Sequence, residues 1–241
     1  MNIAQDFNDI ELCKLTRAIH NWLTYNSIVS RAELLAESSI RYPLCEYIER
    51  QMGLKCELEF DHELFVQKSI DFYWENEQGE DKEINYLELK FVRKDTTSRK
   101  ETRRVFDDLY RLSYLQKDNA KCYFIMCGDT QLFLQQFKES KALRPKRGRP
   151  RKNPISQNGE DNLQLENHVF QDWFSFKEAD AEKTIKQEEK KYDDVYNNFK
   201  KHYKLIKSDP DFQWRKSFKT RLVEYVDNKN QSIGLWEVYN V

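Results

Sequence analysis

Two stretches decide how this chain is read: KSIDFYW (residues 68–74) and INYLELKFV (residues 84–92). In a strand, successive side chains point to opposite faces. In the second stretch Leu87, Leu89 and Phe91 therefore point one way, into a core, while Glu88 and Lys90 stand side by side on the other face. The first stretch is rich in branched and aromatic residues, as strands are. It holds Asp71 among apolar Ile70, Phe72 and Tyr73, although Asp is disfavoured in strands. The segment NEQGED (76–81) reads as the turn between them, and the alternating KCELEF (55–60) as a strand before them. Three strands in series imply a meander that brings Asp71, Glu88 and Lys90 to the middle of a sheet.

Helical signals surround this block. Asn8 with Glu11 resembles a capping pair, and Leu12, Leu15, Ile19 and Leu23 follow at helical spacing, so a helix is expected over 9–25. Ser30 and Glu33 form an S-x-x-E box, predicting a helix over 31–52 bent near Pro43. Ser98 and Glu101 form another, before a helix over 99–117 with Val105, Leu109, Leu112 and Leu115 on one side. CYFIMCG (122–128) reads as a fully buried strand ended by Gly128, with a helix over 130–140 after it. Beyond residue 168, VFQDWFSF (169–176) leads into a charged helix over 178–207, and KTRLVEYV, DNKN and SIGLWEVY read as a closing hairpin. The expected fold class is α/β (α+β), with a mixed central sheet flanked by helices. Residues 1–140 and 169–241 are expected to form a single domain. The stretch 141–168, which holds Pro145, Pro150 and Pro154 of only five prolines, reads as a disordered basic insertion.

Bulk composition narrows the function classes. Lys and Arg number 40 against 41 Asp and Glu, so any nucleic-acid contact must come from local basic patches on a balanced chain. The five cysteines form no CxxC pair, and none groups with histidine at zinc-ligand spacing, so they read as reduced core residues of a cytoplasmic protein. His20, His62, His168 and His202 share no motif and are taken as structural or exposed. No secretory signal and no apolar run long enough to span a bilayer is seen, so no membrane partner is expected.

Two carboxylates and water oxygens make a hard site suited to Mg²⁺ or Mn²⁺. A lysine beside them can orient an attacking water and stabilise charge developing on a phosphodiester. The plain alternative is that Glu88 and Lys90 form a cross-strand pair on a half-exposed sheet, worth only a few tenths of a kcal/mol.

The pattern D71-x16-E88-x-K90, with a helix before it and a helix and buried strand after it, resembles the PD-(D/E)XK, or restriction-endonuclease-like, nuclease superfamily. The resemblance covers about residues 30–140. Ile70 stands where the family name has proline. It implies a restriction-endonuclease-like core, with catalytic Asp71, Glu88 and Lys90 and a metal held by Asp71 and Glu88. It also implies a further carboxylate on the first core helix, for which Glu37 is the first choice ahead of Glu46 and Glu33. The basic run after the motif includes Arg93, Lys94, Arg103 and Arg104, which would meet a phosphate backbone, and Arg111 could face the site. RPKRGRPRK (144–152) resembles an AT-hook, with its core at Gly148, Arg149 and Pro150 and Arg147 beside it. An extended segment of this kind fits a narrow, negative minor groove. Together these imply a metal-dependent DNA endonuclease favouring AT-rich duplex, associated with a prokaryotic nucleoid. The alternative is an inactive nuclease-like DNA-binding or regulatory protein. A two-strand cut calls for two active sites, which a homodimer would supply.

Overall fold

The computed structural model describes residues 7–31, 35–78, 81–92, 98–133, 197, 199–204, 212–214 and 218–240. Within them the predicted meander forms as β1 (Cys56–Asp61), β2 (Ser69–Gln78) and β3 (Asp81–Val92), each antiparallel to the next. The chain then passes through α3 (Ser98–Leu115) and returns as β4 (Ala120–Asp129), parallel to β3. A parallel return needs a crossover, and the helix supplies it. The closing hairpin, β5 (Phe218–Asp227) and β6 (Gln231–Asn240), adds antiparallel to β4 through β6. The result is one six-stranded mixed sheet of order β1-β2-β3-β4-β6-β5.

Helices cover both faces. On one lie α1 (Phe7–Ile28) and α2 (Glu37–Gln51), whose Leu12, Leu15, Ile19, Leu23, Ile40, Leu44 and Ile48 pack with Phe72, Trp74, Leu87, Leu89 and Ile125. On the other, Val105, Phe106, Leu109 and Leu112 of α3 pack with Tyr86, Phe124, Met126 and Trp236. Phe199, Tyr203 and Phe65 extend that second core as an aromatic cluster. Polar bonds tie α1 to the hairpin: Arg221 Nη2 donates to Asp9 Oδ2 (2.7 Å), and Asn228 Nδ2 to Thr24 Oγ1 (2.7 Å).

Two expectations about the elements are corrected. Ser30 does not cap a second helix; it ends the first. It has φ 58°, and Arg31 N–H reaches back to the Asn26 carbonyl at 2.8 Å, the six-to-one bond of a Schellman close. The second helix starts at Glu37, with Ser39 Oγ accepting the Ala36 N–H (3.2 Å), and it runs through Pro43. The turn between β2 and β3 is also shorter than six residues, because the strands stay in register out to Gln78↔Asp81. The helix after β4 starts at Thr130, where Asp129 Oδ1 accepts the N–H groups of Gln131 (3.0 Å) and Leu132 (3.2 Å). Residues 134–140, the insertion 141–168, the segment 169–176 and most of the helix expected over 178–207 lie outside the described residues.

Candidate active site

The site sits where β2 leaves β3. Their pairing runs from Gln78↔Asp81 to Phe72↔Leu87 and stops there, while β2 stays paired with β1 down to Ser69. Along β2 the alternation of faces also breaks: Ile70 packs in the core under α3, and Phe72 in the core under α2. On β1, Glu59 is held at φ 52° between Leu58, which pairs with Phe72, and Phe60, which pairs with Ile70. Asp71 fills the opening, and its Oδ2 accepts the Leu89 N–H of β3 at 2.8 Å. An aspartate in an apolar strand thus satisfies a buried backbone donor that strand pairing leaves over.

β3 continues beside β4 as far as Val92↔Gly128. Glu88 and Lys90 are both buried on the α3 side, at 3% and 9% exposure. The alternative of a solvated cross-strand pair is therefore excluded. Facing them, one helical turn apart on α3, are Asp108 and Arg111. Arg111 Nη2 lies 2.7 Å from Glu88 Oε1 and 2.6 Å from Asp108 Oδ1, and its Nη1 donates to the Ser69 carbonyl (2.6 Å). The Glu88 contact is an ion pair without hydrogen-bond geometry, since Glu88 Oε1 has no hydrogen-bond partner. Lys90 Nζ lies 3.8 Å from both Asp108 Oδ2 and Glu37 Oε2. Glu37 begins α2, and its Oε2 also meets the Phe91 N–H at 3.5 Å. Arg41, one turn later, pairs with Asp71 and Glu59 and lies 3.6 Å from Glu37 Oε1.

Burial and close opposite charges act together on the acids of this enclosure. Burial pushes Glu88 well above the usual carboxylate range; Arg111 opposes this, while Asp71 and Asp108 add to it. Asp71 is raised by burial too, against the Leu89 N–H and Arg41, with Asp108 adding to the rise. Glu37 is likewise raised by burial, against Lys90. His62 holds the frame: its Nδ1 accepts from Leu64 (3.0 Å) and Phe65 (3.2 Å), and its Nε2 meets the Arg111 carbonyl at 3.2 Å. These contacts fit the neutral tautomer with hydrogen on Nε2. Burial lowers its pKa to about 4, in keeping with the structural role expected of the histidines.

No family model, no curated protein and no solved structure matches this chain.

Asp71, Glu88, Lys90 and Glu37 come together, and Arg111 joins them. Arg41, Glu59 and Asp108 have no counterpart in the sequence reading. For Arg41 and Asp108 the signal was helical spacing, since Glu37 and Arg41 are four apart and Asp108 and Arg111 three apart, so each pair shares a helix face; Glu59, on β1, gave none. Arg104 is exposed on α3, while Arg93, Lys94 and the hook residues Arg147, Gly148, Arg149 and Pro150 lie outside the described residues, as does the side chain of Arg103. Among the described residues no three His, Cys, Asp or Glu side chains are grouped as a metal cage. The donor set still fits a hard cation. Mg²⁺ is commonly held by one or two carboxylates with waters completing the shell, and Asp71 and Glu88 are both buried, with burial outweighing the cations beside them.

Proposed function

We propose that the chain is a divalent-metal-dependent DNA endonuclease of the PD-(D/E)XK type, built on a restriction-endonuclease-like core. The observation that carries this is the meeting of Asp71, Glu88 and Lys90, all buried, at the point where β2 parts from β3. Perturbed carboxylates paired with a lysine inside one enclosure are a mark of functional rather than structural sites.

In this reading Asp71 and Glu88 would hold Mg²⁺ or Mn²⁺, which when bound supplies an acidified water and neutralises charge at phosphorus. Lys90 is steadied between Glu37 and Asp108, so its ammonium keeps one direction and can orient a water or donate to a phosphodiester oxygen. Arg111 positions Glu88 and pins Ser69, two residues before Asp71. Arg93, Lys94, Arg103 and Arg104 follow the site in sequence and would meet the phosphate backbone. The hook at Arg147–Pro150 would hold AT-rich duplex nearby, raising its local concentration. A second copy of the chain would supply the second cut.

A plasmid-nicking assay with Mg²⁺, Mn²⁺ and EDTA tests this. The protein should nick with either metal and not with EDTA. Asp71→Ala and Lys90→Ala should each lower the rate by at least about 100-fold, with DNA retention in a gel shift little changed. Undiminished cutting by both variants would sink the assignment. One observation favours a second reading, an inactive DNA-binding or regulatory protein: Asp71 is paired with Arg41 and Glu88 with Arg111, so both carboxylates already have cationic partners. That reading predicts DNA association with no hydrolysis under any metal.

A further inference from the structure

We infer that Arg41 is the resident counter-ion of Asp71, and that a divalent cation loads the site by displacing its guanidinium. The inference rests on the metal reading above. Asp71 has two carboxylate oxygens. Oδ2 is committed to the Leu89 N–H at 2.8 Å, a bond that holds β2 against β3 where strand pairing has stopped. Oδ1 is the oxygen left for a ligand, and Arg41 Nη2 is on it. A cation that takes Oδ1 must share it with a positive group or displace that group.

The two arginines of the site are not equivalent. Arg111 is 12% exposed and bound from three sides, by Glu88, Asp108 and the Ser69 carbonyl, while its own carbonyl is held by His62. It is a fixture. Both side chains have a buried Nε without a hydrogen-bond partner, so exposure and the partners at the tip separate them: Arg41 is 24% exposed and is held there by carboxylates alone. Two further acids accept it on the way out. Glu37 Oε1 is 3.6 Å away, and Glu59, 51% exposed, is already bonded to its Nη1. The guanidinium can release Asp71 and remain on Glu59 at the surface. There it offers a planar, bidentate fork suited to a phosphate oxygen.

The charge argument sets a direction that packing alone would not. A positive group within contact of a metal ligand repels a dication, whereas a purely structural arginine supports the ligand, and its loss loosens binding. The test is Mn²⁺ titration of the full-length protein without DNA, followed by calorimetry and by electron paramagnetic resonance of free Mn²⁺. The variants are Arg41→Gln, Arg41→Lys and Asp71→Asn. Arg41→Gln should bind Mn²⁺ about tenfold or more tightly than the unaltered protein, and Arg41→Lys, which keeps the charge, should stay within about threefold of it. Circular dichroism melting checks that each variant is folded, and Arg41→Leu replaces Arg41→Gln if the latter is not. Equal or weaker Mn²⁺ binding in a folded, uncharged Arg41 variant overturns the role of Arg41 and leaves the metal reading standing. Absence of Mn²⁺ binding in the unaltered protein, or binding indifferent to Asp71→Asn, overturns both.

Discussion

At the residue scale, Glu88 shows how far a site can be set against stability. It is buried on the sheet face beneath α3, and its desolvation outweighs the attraction of Arg111, so its carboxyl holds a proton more readily than in water. Glu88→Gln keeps the shape without the charge, and Arg111 still has Asp108 and the Ser69 carbonyl. We expect this variant to be more stable at neutral pH by on the order of 1 kcal/mol, raising the melting temperature by roughly 2–4 °C, and to lose nicking. The gain should depend on pH. With its folded pKa raised above the unfolded value, native Glu88 takes up a proton first in the folded state as pH falls. The unaltered protein should therefore close the gap on acidification from neutral pH toward the ordinary glutamate range. Melting curves of both proteins across that span test it; a gap that widens on acidification would contradict the assigned direction.

The strands supply the geometry at the scale of elements. β3 pairs with β4 from Ile84 to Val92 but with β2 only as far as Phe72↔Leu87, so the site opens on one side of a continuous strand. Gly128 secures the other side. It pairs with Val92 at φ 144°, and a Cβ there would lie 2.5 Å from the Val92 carbonyl oxygen. Only glycine readily adopts that conformation, and the obstructing atom is backbone. Gly128→Ala should destabilise the fold by about 3 kcal/mol, read by chemical denaturation, and displace the end of β3 two residues from Lys90. A change within about 0.5 kcal/mol would show that the β3–β4 pairing gives way easily. Much at this scale was legible beforehand. The alternation in 84–92 separates Leu87, Leu89 and Phe91 from Glu88 and Lys90, and the two sets do lie on opposite faces. The Ser30–Glu33 box was misleading, because a serine that can cap a helix start can also take the left-handed position closing a preceding one.

For the whole molecule, the question is how a balanced chain would meet a polyanion. The described helices include none long and apolar enough to cross a membrane. Opposite charges compensate one another within the proposed site, so DNA affinity would have to come from the basic run after β3 and from the hook. Replacing residues 141–168 with a Gly-Ser linker should leave the melting temperature unchanged. It should weaken binding to AT-rich duplex about tenfold or more and lower the salt dependence of binding, since fewer phosphates are neutralised. Binding titrations at several salt concentrations would test this, and unchanged affinity and slope would remove the hook from the mechanism.

What the amino-acid order determined by itself was local: the strands and their faces, α3 and its apolar stripe, the buried β4, the closing hairpin, and the nomination of Asp71, Glu88, Lys90 and Glu37. These follow from side-chain period and turn chemistry, which act over a few residues, apart from Glu37, to which only the resemblance to the nuclease superfamily pointed. The tertiary structure alone decided that the hairpin joins β4 about a hundred residues away, which helices cover which face, and that β2 departs from β3 at Asp71. It also brought Arg41 and Asp108 to the carboxylates. Those outcomes depend on which surfaces bury one another, and no local period carries that information.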